Sequence, residues 1–260
     1  MNNIRIYGGL GNQMFQYALG KVIKANGIDV AFDISARRRT HGGETAREYQ
    51  LGYFNTRVKL AVKRKQRVIR DYTFTSDVLQ KNNHTFWGYW QYTQLYDNVL
   101  PLLRNEFCVR KEYYTSQFLG LRVAITNEDS ISIHVRRGDY VTNDGFNVLP
   151  LSYYIEALKY VKGTSLYIFS DDLAWCQKNF TEELFPYNIT FVKLADYLDF
   201  ELMKLCKCNI IANSTFSWWA AFLNNNEDKI VVAPIQWRER ENDQKEFTKL
   251  FRLSNEWVVL

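Results

Sequence analysis

The stretch Ile131-Ser132-Ile133-His134-Val135 limits the possible folds of this chain more than any other, because of the charged residues it leads into. Apolar residues alternate with serine and histidine, the period of two expected of a short buried strand. The strand then runs straight into Arg136-Arg137-Gly138-Asp139-Tyr140. In open α/β sheets ligands collect beyond the carboxyl ends of strands. Two permanently charged guanidinia there present planar forks of donors suited to phosphate oxygens. Gly138 permits a sharp turn, and Asp139 is placed to hold one guanidinium. The competing reading is a surface Arg–Asp pair closing a strand, worth less than about 1 kcal/mol.

The same grammar recurs. Leu166-Tyr167-Ile168-Phe169 reads as a strand delivering Ser170-Asp171-Asp172. These carboxylates would bind a divalent metal, hydrogen-bond a nucleoside, or cap the helix starting at Leu173. Cys208 to Ala212 is a strand followed by Asn213-Ser214-Thr215-Phe216-Ser217 and an apolar helix from Trp218. Hydroxyls and backbone donors before a helix N-terminus can cradle phosphate. A cap needs only one hydroxyl, and here there are three.

At the other end, Ile4 to Tyr7 is a strand, Gly8-Gly9-Leu10-Gly11-Asn12-Gln13 a loop, Met14 to Lys24 a helix, and Ile28 to Asp33 a second strand. This β–loop–α–β unit departs from the G-x-G-x-x-G dinucleotide spacing, since no third glycine follows Gly11 in place. Asp33 ends its strand as a cap or a ribose ligand. From Arg37 to Arg70 the chain is polar, read as loops and an exposed basic helix carrying Arg37–Arg39 and Lys63–Arg67. The aromatic run Phe86 to Tyr92 either packs into a core or turns a face outward to stack on a sugar. Further helices are expected near Val99–Phe107, Ser152–Val161 and Asp196–Cys206, with strands at Ile189–Val192 and Ile230–Pro234. Glu256 to Leu260 is a closing strand or a tail. The polar stretch Arg122–Ser130 marks the expected boundary between domains 1–125 and 126–260.

Composition narrows the class. Of 260 residues, 47% are hydrophobic and 16% aromatic, enough for a core and too much for a disordered chain. Residues 1–125 hold 19 Lys and Arg against 9 Asp and Glu, whereas residues 126–260 hold 14 against 19. Such a split suggests two halves with different partners. The basic half could face an anionic membrane surface or an anionic acceptor, or be merely solvated. Four cysteines without framework spacing favour a reducing compartment, and Cys206-Lys207-Cys208 is a poor zinc motif. No leader-like segment opens the sequence and no apolar run approaches about 18 residues. A cytoplasmic protein is expected, peripheral at the inner face of a membrane if the basic half is used that way.

Four stretches then line up with a known family. Gly8-Gly9-Leu10-Gly11-Asn12-Gln13-Met14-Phe15-Gln16-Tyr17-Ala18, His134-Val135-Arg136-Arg137-Gly138-Asp139-Tyr140, Ser170-Asp171-Asp172 and Asn213-Ser214-Thr215-Phe216-Ser217-Trp218-Trp219-Ala220 resemble, in order, the bacterial α-1,2-fucosyltransferases of glycosyltransferase family 11. The resemblance implies an α/β, GT-B-like fold of two Rossmann-like domains facing across a cleft. Its 126–260 domain would bind GDP-fucose, its 1–125 domain would shape the acceptor site, and the last residues would pack back on the first domain. It also implies inverting transfer of L-fucose from GDP-β-L-fucose to the 2-hydroxyl of a galactose-containing oligosaccharide or lipid-linked glycan, with no metal or other cofactor.

On this resemblance Arg136 grips the β-phosphate, and Arg137 is a second clamp or the structural partner of Asp139. Asn12 points at the pyrophosphate or fucose beside Gly9 and Gly11. Ser214, Thr215 and Ser217 donate to the phosphates, while His134 and Asp171 or Asp172 meet the guanosine. Asp144, ten residues after His134, is the candidate general base, and Trp87, Tyr89 and Trp90 are the candidate acceptor platform. Two other readings stay open from the residues alone. One is an NAD-dependent oxidoreductase using Gly8–Gly11, which leaves Arg136 and Ser214–Ser217 unexplained. The other is a non-catalytic module binding RNA or anionic polysaccharide through the basic runs; nucleic acid is not expected, because no RNA-binding motif accompanies them.

Overall fold

The computed structural model describes residues 1–35, 47–62, 65–71, 75–250 and 256–260. Arg37–Arg39 and Lys63–Arg64 lie outside the described residues. The described chain forms two compact units, Met1–Arg110 and Lys111–Leu260.

In the first unit, β1 (Asn2–Arg5), α1 (Leu10–Ala25) and β2 (Val30–Asp33) make the expected β–loop–α–β start. The later strands β3 (Arg67–Arg70) and β4 (His84–Trp87) complete a parallel sheet of order β2-β1-β4-β3. Helix α1 is buried over most of its surface, including Met14, Phe15, Ala18, Leu19 and Ile23. Helix α2 (Leu100–Glu106) is tied to it through Glu106, which accepts from Tyr17 Oη at 2.9 Å and pairs with Lys21 Nζ at 2.7 Å.

The described part of the expected basic helix differs: Arg67–Arg70 is strand β3. Its β-branched centre, Val68-Ile69, pairs with Thr85 and Phe86, and that pairing outweighs a charge pattern that otherwise reads as a solvated helix.

The second unit opens with α3 (Ser116–Asn127), capped by Thr115, whose Oγ1 accepts from the Phe118 amide at 3.1 Å. The polar stretch read as an interdomain boundary is therefore the end of a helix and the start of a strand, and the division falls near Arg110. Beyond it come the strands β5 (Ser130–Val135), β6 (Ser165–Ser170), β7 (Asn188–Val192), β8 (Cys208–Ile210), β9 (Val231–Ala233) and β10 (Val258–Val259). Between them run α4 (Leu151–Ala157), α5 (Leu173–Asn179), α6 (Asp196–Leu205), α7 (Thr215–Leu223) and α8 (Glu241–Leu250).

All pairs in this sheet are parallel and the order is β10-β9-β8-β5-β6-β7. The chain builds outward from β5 through β6 and β7, then returns to β5's other side for β8, β9 and β10. That is the doubly wound Rossmann order, with its switch point between β5 and β8.

Every residue of β5 and β6 is buried. Ser132 of β5 is satisfied inside: Asn209 Nδ2 donates to Ser132 Oγ at 2.7 Å, and Asn224 Nδ2 donates to Asn209 Oδ1 at 2.8 Å. These bonds help fix the β5–β8 register, because a one-residue slip would leave buried amides unpaired. The last residues pair within the second unit. Val258 pairs with Val232, and the Leu260 amide donates to the Ala233 carbonyl at 3.0 Å, so they close the second sheet.

Candidate active site

Because β5, β6 and β8 are adjacent and parallel, their carboxyl ends emerge along one edge. That edge carries Arg136-Arg137, Ser170-Asp171-Asp172 and Asn213-Ser214-Thr215. Three stretches spread along the chain from Arg136 to Thr215 are thus brought together at the switch point, where doubly wound sheets hold ligands.

Arg136 is held by two carboxylates: Nη1 pairs with Asp171 Oδ2 at 2.7 Å, and Nη2 pairs with Asp139. Its face lies over the Tyr140 ring, 5.0 Å from the centroid. Of the two roles open to Arg137, the pairing with Asp139 is not the one found: Arg137 pairs through Nε with Asp172 Oδ2 at 3.1 Å and lies 4.3 Å over the Trp175 ring. Asp139 is the partner of Arg136 instead.

Asp171 also accepts from the Arg137 amide at 2.9 Å. Asp172 caps α5 by accepting from the Trp175 amide at 3.1 Å. A Cβ on Gly138 would strike the Asp171 carboxylate, so glycine is what lets the two strand tips approach this closely.

On the β8 side, Ser214 caps α7, its Oγ accepting from the Phe216 amide at 3.4 Å. Tyr140 Oη donates to the Asn213 carbonyl at 3.2 Å, linking the arginine turn to the hydroxyl turn. Ser214 and Thr215 are partly exposed. Ser217 is not placed to donate to a ligand: it is fully buried and its hydroxyl faces the carbonyls of Ala212 and Ser214 at 3.4 and 3.2 Å. A serine one turn into a helix points back into that turn, so the third hydroxyl braces the cap.

His134 is buried, with its ring 5.5 Å from that of Phe216. Burial, reinforced by the charges of Arg136 and Lys193, pushes its pKa down to about 3, so it is neutral near pH 7. Asp144 lies on the loop between Tyr140 and Phe146. It is 85% exposed in a 2.8 Å ion pair with Arg240, the setting of a solvated surface pair.

The remaining candidates belong to the first unit. Gly8 has φ +78, a conformation that favours glycine, and its position is pressed between Asn12 and Tyr89. Gly9 precedes α1 and Gly11 is buried within its first turn. Asn12 Oδ1 accepts from Gln91 Nε2 at 2.9 Å, and the Tyr7 and Tyr89 ring centroids lie 5.0 Å apart. Asn12, Gly8 and Tyr89 are therefore neighbours.

Trp90 is a correction. It is fully buried against Phe86 and Tyr92, so it offers no face to a sugar. Trp87 is partly exposed, but the guanidinia of Arg5 and Arg70 lie over its ring at 4.2 and 3.7 Å. They come from the strands on either side of β4, so the indole is bracketed by cations and is no open stacking platform.

Several relevant residues escaped sequence reasoning. Gln13 donates to the carbonyls of Gly8 and Glu48 at 2.8 and 2.7 Å and accepts from the Gln50 amide at 2.9 Å. Gln16 accepts from the Tyr7 amide at 2.9 Å and donates to the Gly88 carbonyl at 3.1 Å. These buried glutamines hold the glycine turn's shape; both fall within the first family-like stretch, and their place in an otherwise apolar helix face was a further signal for them. Lys193 follows strand β7, and the strand-tip logic used for Arg136 would have found it. Phe146 and Arg238 carried no comparable signal.

Residues 44–260 match the model of the family described as Glycosyl transferase family 11. The chain is 32% identical to the O-antigen biosynthesis glycosyltransferase WbnK of Escherichia coli over 288 aligned positions, covering 92% of this chain and 95% of that protein. It is equally 32% identical to an alpha-1,2-colitosyltransferase of the same species over 273 positions, covering 91% and 92%. Among solved structures, the NodZ alpha-1,6-fucosyltransferase soaked with GDP-fucose superposes with a TM-score of 0.54 at 14% identity, covering 85% of this chain and 92% of that one. The chain belongs to glycosyltransferase family 11. It is a glycosyltransferase with a GT-B-like fold built from two Rossmann-like units.

Proposed function

We propose that this enzyme transfers an L-fucosyl group from GDP-β-L-fucose, with inversion, to the 2-hydroxyl of a galactose-containing glycan. The observation that carries the reading is the juxtaposition, at one switch point, of a carboxylate-pinned arginine and a serine-capped helix start. Departure of a nucleoside diphosphate concentrates negative charge on the leaving group while the sugar carbon becomes electron-poor. Arg136, already oriented by Asp139, Asp171 and Tyr140, supplies a fixed positive charge where that charge develops. Arg137 adds a second, and the α7 N-terminus supplies oriented donors and a favourable dipole. Tyr140 keeps the two halves of this cradle together.

A second donor is favoured by a specific observation: one relative of equal identity is named for colitose, a sugar lacking the 3-hydroxyl of fucose. The test presents GDP-fucose and GDP-colitose with a panel of β-galactosides, reading donor hydrolysis, transfer and linkage by mass spectrometry and NMR. We expect α-1,2 transfer from GDP-fucose that persists in EDTA. Exclusive use of GDP-colitose would move the donor assignment to the second reading. Failure with both, alongside turnover of UDP- or CMP-sugars, would overturn the guanosine diphosphate reading.

A further inference from the structure

The loop after β5 and the segment before α8 meet in an arrangement the proposed chemistry does not by itself require. The Tyr140 and Phe146 rings are stacked, with centroids 4.2 Å apart and planes 13° from parallel. Arg136 lies over Tyr140 at 5.0 Å, and Arg238 lies over Phe146 at 4.5 Å. Two stacked aromatic rings thus each carry a guanidinium, Arg136 at Tyr140 and Arg238 at Phe146.

The far end of this stack is anchored by backbone. Phe146 and Arg238 form an antiparallel bridge. The amides of Trp237 and Arg238 both donate to Gln244 Oε1 at 2.8 Å, which fixes the segment to α8. Asn213 reaches the same segment, with Nδ2 donating to the Asn147 carbonyl at 2.6 Å and to the Trp237 carbonyl at 3.2 Å.

We propose that Arg238 is a positioning residue for transfer: through Phe146 and Tyr140 it sets the face on which the Arg136 guanidinium rests. The inference rests on the reading of Arg136 as the leaving-group clamp. Asp139 and Asp171 fix that guanidinium at its two terminal nitrogens, but two such pairs still allow rocking about the axis through them. The Tyr140 ring opposes the rocking. Its own plane is held by the Asn213 carbonyl at the hydroxyl and by the stacked Phe146 ring. Phe146 in turn is covered by a cation whose attraction to the ring is orientation-dependent. Removing Arg238 frees Phe146, then Tyr140, and blurs the direction of Arg136 without removing its charge. Misdirected charge costs the transition state more than it costs ground-state binding.

The test compares Arg136→Ala, Arg238→Ala, Arg238→Lys, Phe146→Leu and the Arg238→Ala/Phe146→Leu pair. Arg238→Ala and Phe146→Leu are each expected to lower kcat about tenfold, with donor KM changed less than about threefold. Arg238→Lys, which keeps a cation over the ring, should recover most of the loss. The double variant should lose no more than either single one, because both break the same chain of contacts.

An activity-independent readout is the Arg136 guanidinium Nη–H resonance, from the nitrogens paired with Asp139 and Asp171. It should be sharp and exchange-protected in the parent and broadened in Arg238→Ala. If Arg136→Ala is inactive while Arg238→Ala and Phe146→Leu keep parental kcat and a sharp resonance, the stack is ordinary packing and this inference falls alone. If Arg136→Ala itself retains turnover, the clamp reading fails first. A loss that is additive in the double variant, or that appears in KM alone, would also overturn the positioning role.

Discussion

The two units use the same fold logic for opposite electrostatic ends. In the first, the turn after β1 is built from neutral groups: a glycine at positive φ, two buried glutamines, and an asparagine bonded to Gln91. In the second, the turns after β5 and β6 are built from charges, two arginines against three aspartates, with aromatic rings beneath the guanidinia. A neutral network sets backbone shape without caring about pH or salt. A charged one can change what it binds, because its carboxylates and an incoming anion compete for the same guanidinia. A glycine-rich motif and an arginine motif in one chain thus do different jobs, the first geometric and the second electrostatic.

The contrast breaks most sharply at Arg136. Arg136→Ala is expected to leave the fold intact and to lower turnover by two to three decades, about 3–4 kcal/mol of transition-state stabilisation. Near-parental turnover in a steady-state assay would remove the electrostatic half of the comparison.

The second test uses pH. Burial raises the Asp199 carboxyl to about 7, so it contributes stability that is fully present below about pH 4 and is lost as pH rises towards 7. His134, lowered to about 3, works the other way: its contribution is fully present above about pH 6.5 and is lost as pH falls. The two slopes oppose each other between about pH 4 and pH 6.5. Asp199→Asn should therefore unmask stability that rises with pH by roughly 1 kcal/mol per unit across that window. Denaturant melts at half-unit intervals would check this, and an unchanged slope would discount the buried aspartate.

On the neutral side, Gln16→Leu should cost about 1–3 kcal/mol by stranding the Tyr7 amide and the Gly88 carbonyl. The loss should be the same at pH 5.5 and 8 and at low and high salt. A strong salt dependence would blur the distinction between the units. Smallest is Ser214→Ala, about 1 kcal/mol from the lost α7 cap, measurable as a lowered Tm with donor KM changed only modestly.

Much of this was legible in the chain itself. Strands β5, β6, β8 and β9 announce themselves as short apolar runs, and the residues at their tips are those the fold gathers at the switch point. Asp172 reads as a cap and is one. Tryptophans and serines read less well, because type does not reveal direction. Trp90 is as aromatic as Trp87 but lies in the core, and Ser217 carries the same hydroxyl as Ser214 but points into its own helix. Asp144 was read from an offset, and an offset through a loop does not reveal its exposure or its pairing with Arg240.

The amino-acid order by itself determined the alternation of strand and helix, the glycine turn after β1 and the family, since these depend on local periodicity and contiguous motifs. Only the tertiary structure decided which aspartate holds which arginine, that the final residues close the second sheet, and that Phe146 and Arg238 stand behind Tyr140. Those are contacts between stretches far apart in sequence, and the free energy selecting among them resides in packing and burial that no local pattern contains.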